Sequence, residues 1–185
     1  MRSLSEPLDD RTTRWPLVAF GVSEIGDGVV AVVVPLVVYE LSGSVRLLSV
    51  AFALTLLAGS GLAILGGIVA DRFDRRRGLV LPYLIRLVAT IALLPAMNVG
   101  ASLFVVAGIA VGALGSFDNP SAEALLRQRM RHNTQAIAPA RRSMRVLSSI
   151  AGPAVGAALI GAGGASLAIA ANALSFAVAI VLLDR

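Results

Sequence analysis

Residues 67–78 read Gly67-Ile68-Val69-Ala70-Asp71-Arg72-Phe73-Asp74-Arg75-Arg76-Arg77-Gly78. Apolar runs lie on both sides of this charged stretch, at about 47–70 before it and 79–97 after it. A bilayer core takes a helix of about 20 apolar residues, so each run is long enough to span, or nearly so. The stretch between them reads as a short basic connector at one membrane surface. Asp71 closes the earlier run, and Arg75 sits one turn further on, within pairing range if the helix continues. Gly67, one turn before Asp71, permits a close helix approach.

Working outward, the same pattern repeats. Apolar stretches run over about 15–41, 47–70, 79–97, 101–117, 144–162 and 165–183. A polar tail of mixed charge, 1–14, precedes them, and the longest polar segment is 118–143. The tail carries acids before a long apolar run, unlike a cleavable secretory leader. Trp15 reads as an interfacial anchor. Gly108 with Gly112, and Gly152 with Gly156, are spaced four apart, which lets helix backbones pack closely. In segment 118–143, Asn119, Pro120 and Glu123 form a helix start. That helix reads equally as an amphipathic one on the membrane surface or as a solvated extension of the fourth span.

Composition agrees. The 185 residues are 57% hydrophobic and 15% charged, where soluble domains average about half apolar and a quarter charged. There is no Cys, hence no disulfide framework and no Cys-ligated metal; no metal or cofactor is expected. All 16 basic residues are Arg. With the N-terminus in the cytoplasm, fourteen fall in the tail, the 67–78 connector, the 118–145 region and the C-terminal end. Only Arg46 is outside, and Arg86 lies within a span. This split follows the positive-inside rule, so both termini are expected in the cytoplasm. The net charge of +5 becomes an orientation signal, and nucleic acid is not an expected partner.

Three charged residues lie well inside spans, away from their ends: Glu24, Asp27 and Arg86. Such groups are costly in lipid and face a cavity or a partner. Glu24 and Asp27 are three apart and share a helix face. At ~1.5 Å per residue, Asp27 lies roughly 18 Å from Trp15, near the midplane. Glu24 lies roughly 13 Å in, and Arg86 roughly 12 Å in from Gly78, so a Glu24–Arg86 pair is geometrically possible. Two readings of Asp27 stay open: a proton-titrating or substrate-facing carboxylate, or one arm of a structural ion pair. Enzymatic readings fare worse. His132 is the only His and falls in a polar segment, which removes a His relay within the membrane. Gly59-Ser60-Gly61 lacks the residue pattern of an intramembrane serine protease, because Ala58 breaks it. Asp27-Gly28-Val29-Val30-Ala31 begins a phosphatidyltransferase motif that Val32 ends. The chain is not expected to be an enzyme.

Stretch 67–78 resembles the loop motif Gly-x-x-x-Asp-Arg-x-x-Arg-Arg of the major facilitator superfamily, which that family carries between its second and third spans. Ser23-Glu24-Ile25-Gly26-Asp27 resembles the first span of the drug, macrolide and siderophore exporter branch. Stretches 35–44 and 117–120 are similar to that branch's exits from spans one and four. Ala151-Gly152-Pro153-Ala154-Val155-Gly156 resembles the span-five motif of antiporters, and Asn172-Ala173-Leu174-Ser175-Phe176 a span-six segment. The fourth span lacks the Arg that many proton-coupled members carry.

The resemblance implies an all-α membrane protein: six transmembrane helices as two inverted three-helix repeats, the N-terminal half of a twelve-helix transporter. It implies transport of a small molecule, by proton-coupled efflux, in the cell (plasma) membrane. Spans one and four would line the cavity. Gly67, Asp71, Arg72, Arg75 and Arg76 would form a gate latch, and Gly152, Pro153 and Gly156 would shape span five at the moving interface. The partners implied are a small-molecule substrate, protons, the lipid bilayer, and a second transporter half or a homodimer. The alternative is a transport-incompetent or regulatory half-module that needs such a partner.

Overall fold

The computed structural model describes residues 11–72, 77–116 and 137–184. These are all helix or tight turn, in five helical elements. They are α1 (Arg11–Ser42), α2 (Val45–Arg72), α3 (Arg77–Val99), α4 (Ala101–Leu114) and α5 (Ile137–Asp184). Four stretches are long and apolar enough to cross a membrane by length and composition: Trp15–Ser42, Val45–Leu65, Val80–Val99 and Ala138–Leu183. Helix α4, with 14 described residues, falls short of that length.

Local chemistry explains the joints. Ser42 Oγ bonds back to the Val38 carbonyl at 2.6 Å, and the Ser44 amide donates to Ser42 Oγ at 3.2 Å. Ser44 Oγ then accepts from the Leu47 amide at 3.2 Å, as an N-cap does. Serine at both ends of the turn thus satisfies backbone groups that two helix termini leave open.

The expected fifth and sixth spans form one helical element, α5, of 48 residues. Its backbone leaves helical geometry at Gly163 (φ −155°, ψ 17°) and Gly164 (φ 76°, ψ −177°). That splits it into a first arm, 137–162, and a second arm, 165–184. Gly164 adopts a combination open in practice only to glycine. Gly164→Val should therefore destabilise the protein by about 1–3 kcal/mol, read as a lower midpoint of thermal unfolding in detergent. An unchanged midpoint would mean the break tolerates a side chain.

Helix α1 runs through the centre of the core. Its Val29, Val33, Val37 and Val38 pack with Leu93 and Ala96 of α3, Phe104 and Val111 of α4, and Ala168 and Ile169 of the second arm. A second cluster joins Ala19 of α1, Tyr83 of α3, and Phe176, Ala179 and Leu183 of the second arm. Early α3 residues meet late α5 residues and late α3 residues meet earlier ones, so α3 and the second arm run antiparallel. The outside is apolar too. Leu57 and Ile64 on α2, and Leu147 and Ile150 on α5, are 69–70% exposed. A water-soluble fold would bury such residues, whereas a lipid-facing surface leaves them out.

A close crossing, backbone against backbone, joins α1 to the first arm of α5. A Cβ placed on Gly152 would lie 2.6 Å from Gly28 Cα and 2.9 Å from the Ile25 carbonyl oxygen. A Cβ on Gly28 would meet Gly152 Cα at 2.8 Å and Pro153 Cδ at 3.2 Å. Gly156 lies one turn on, its Cβ position 3.2 Å from the Val29 backbone. The Gly152, Pro153 and Gly156 positions thus hold α5 against α1, backbone to backbone.

Candidate functional site

Helix α1 carries Glu24, Asp27, Ala31, Val34, Pro35 and Val38 at spacings of three and four, which stacks them on one face. That face lines a cavity of about 360 Å³. Leu48, Ala51, Phe52 and Thr55 of α2 form a second wall, and Val105, Gly108, Ile109 and Gly112 of α4 a third. Its size falls within the usual range for small-molecule sites, about 300–1,000 Å³. The cavity is two-sided chemically: most of the wall is aliphatic, and one end holds Glu24, Asp27, Arg86 and Arg145.

Arg86, on α3, donates from Nη2 to Asp27 Oδ1. Depth along the helices allows Arg86 to pair with Glu24; the structure joins it to Asp27, one turn further along α1. The two partners differ in exposure. The Arg86 side chain is 4% exposed and that of Asp27 is 32% exposed. Both line the cavity, Arg86 as the buried member of the pair and the Asp27 carboxylate as the more exposed one. Glu24 is reached by Arg145 Nη2 of α5 at 3.4 Å, with the Arg145 side chain 52% exposed. A long, half-exposed contact of this kind contributes at most about 1 kcal/mol.

Aromatic rings back both arginine sites. The Arg86 guanidinium carbon lies 4.4 Å from the centroid of the Phe176 ring. Arg141 stacks over Phe20 at 4.3 Å, with Arg145 at 6.0 Å from the same ring. Sequence reasoning assigned Arg141 and Arg145 only to topology. Their i, i+4 spacing at the start of a span was the available signal, because it puts both on one helix face. Of the loop motif, Gly67, Asp71 and Arg72 belong to the last turns of α2. Arg75 and Arg76 lie outside the described residues, as do the side chains of Asp71 and Arg72 and most of segment 118–143. Among the described residues, no group of three His, Cys, Asp or Glu side chains gathers into a metal site.

The family model described as Major Facilitator Superfamily matches residues 17–184. The chain belongs to the major facilitator superfamily. The match takes in α1 through α5, and with them the cavity and its charged end. No curated protein and no solved structure gives a significant match to the chain. As a superfamily member the chain is a multi-pass membrane protein that serves the transport of a small molecule across the membrane, and it is a transporter rather than an enzyme.

Proposed function

We propose that this superfamily chain is a secondary active transporter of the exporter branch, and that it couples efflux of a small molecule to protons through Asp27. The observation that carries the reading is the Asp27–Arg86 pair set at the charged end of an otherwise aliphatic cavity. Charged groups at membrane depth mark substrate or proton pathways. A carboxylate balanced by a buried cation can lose or gain its partner without leaving the cavity wall.

On this reading the chain is a six-span half, built as two inverted repeats, in the cell membrane with both termini cytoplasmic. Two helix crossings support the repeat. Gly28 of α1 meets Gly152 of α5, while Gly112 of α4 meets the Thr55 side chain of α2 and Gly59 of α2 meets Ser116 beyond α4. Exchanging α1 with α4 and α5 with α2 converts one small-residue crossing into the other, as inverted topology requires. Gly67, Asp71, Arg72, Arg75 and Arg76 would latch the cytoplasmic side against a second half. That second half would complete the substrate wall. The second reading is a half-module that transports only when so completed.

The test is efflux of a macrolide and of ethidium from a pump-deficient host expressing the chain. Wild type should lower the retained probe and lose that effect on adding a protonophore. Asp27→Asn should reduce efflux at least tenfold, to the level of empty cells, at equal membrane abundance. Efflux by Asp27→Asn equal to wild type would remove Asp27 from the mechanism.

A further inference from the structure

Phe176 closes the segment 172–176 that resembles a span-six motif and that the transport reading leaves without a task. Its side chain is fully buried and is wedged between two α3 residues that lie one turn apart. On one side its ring meets Tyr83 edge to face, with centroids 6.1 Å apart and planes at 61°. On the other its face carries the Arg86 guanidinium at 4.4 Å. The Tyr83 hydroxyl in turn lies 3.2 Å from Ser23 Oγ of α1, and Ser23 Oγ donates to the Phe20 carbonyl at 2.9 Å. Arg86 returns to α1 at Asp27, one turn above Ser23. The contacts form a closed circuit from α1 to α3, to the second arm of α5, back to α3 and back to α1.

The same second-arm face grips α1 at Gly26. Positions where a Gly26 Cβ would sit are taken by Asn172 Oδ1 and Ser175 Oγ. Asn172, Ser175 and Phe176 thus meet α1 and its ion pair from the side opposite the cavity.

The geometry points to Phe176 as a positioning residue: its ring, braced by Tyr83, fixes the Arg86 guanidinium beside Asp27, so that Arg86 is a stationary counter-charge and Asp27 the member free to respond to the cavity. A desolvated guanidinium over an aromatic face is held by the ring quadrupole as well as by its carboxylate. The Phe176 ring restrains Arg86 independently of Asp27, so loss of the ion pair leaves Arg86 on its ring. This rests on the reading of Asp27 as the transport carboxylate, but its test needs no transport, so the two can fail separately.

The experiment is nitrogen-15 arginine NMR of the chain in lipid nanodiscs, with the Arg86 signals assigned by their loss in Arg86→Lys. In wild type, the Arg86 side-chain N–H signal should be shifted upfield by the ring, and its two terminal nitrogens should be resolved. Asp27→Asn should keep the upfield shift. Phe176→Leu should abolish it and merge the terminal nitrogens into one averaged signal, with the other arginine signals in place, and Phe176→Tyr should restore both features. Tyr83→Leu, which removes the brace and leaves Phe176, should reduce the upfield shift, and it serves where Phe176→Leu does not fold. An Arg86 signal unmoved in both Leu variants would overturn the assignment. So would loss of the upfield shift in Asp27→Asn alone, because Asp27 and not Phe176 would then be holding the guanidinium.

Discussion

Asp27→Leu should destabilise the protein by about 3 kcal/mol or more, and Arg86→Met by less, although both variants break the same pair. Removing one member of a buried pair strands the other, and the cost follows the burial of the group left behind. Arg86 is 4% exposed and stays charged, so without Asp27 a cation that has lost its carboxylate sits in the core beside the Phe176 ring. Asp27 is 32% exposed to the cavity, so without Arg86 it can be hydrated or neutralised there. Combining Asp27→Leu with Arg86→Met removes both charges and should recover stability to within about 1 kcal/mol of wild type, as apolar replacement of a whole buried pair often does. Unfolding midpoints in detergent for the four proteins of this cycle test it. Additive losses in the double variant would mean that the two side chains stabilise the fold independently.

The second large effect is expected at Gly152. Its added Cβ would approach the backbone of α1 at Gly28 and Ile25, and backbone cannot rotate aside as a side chain can. Gly152→Ala should therefore push α5 off α1 and cost about 3 kcal/mol, the upper part of the usual range for overpacking. Gly152→Leu should yield no monodisperse protein. Gly61 provides the contrast, because an added Cβ there meets nothing within 4 Å. Gly61→Ala should be neutral or stabilising by up to about 1 kcal/mol, since alanine is the better helix former. Equal unfolding midpoints for the two alanine variants would refute the close crossing.

Much of this architecture is legible in the amino-acid sequence. The charged stretch 67–78 between apolar runs was sufficient to identify spanning helices, because length and hydropathy act one helix at a time. Glu24, Asp27 and Arg86 stood out for the same reason: each is costly in lipid wherever it points. Their pairing was less legible. Rise per residue locates a group along its own helix, but the offset between neighbouring helices depends on tilt and contact, and one turn separates Glu24 from Asp27. The structure resolves that turn in favour of Asp27. Arg145 carried two signals at once. A basic residue at a membrane surface satisfies the positive-inside rule whether or not it also reaches a carboxylate, so topology masked its contact with Glu24. Phe176 was hidden by its apolar context, since one aromatic residue in a spanning helix gives no sign of a cation on its face. The break at Gly163 and Gly164 was readable as a joint between two apolar runs, though not that helix would continue up to it from both sides.

In the proposed function, the carboxylate of Asp27 at the charged end of the cavity couples substrate to protons. The most direct measurement is made on proteoliposomes holding the purified chain and a pH-sensitive dye, with proton and probe movement recorded together. Wild type should move protons inward as the probe moves outward, with neither flux in liposomes lacking the protein. In Asp27→Asn, the probe-dependent proton flux should vanish while the protein remains folded. Proton flux in Asp27→Asn at the wild-type rate per probe molecule would contradict the account.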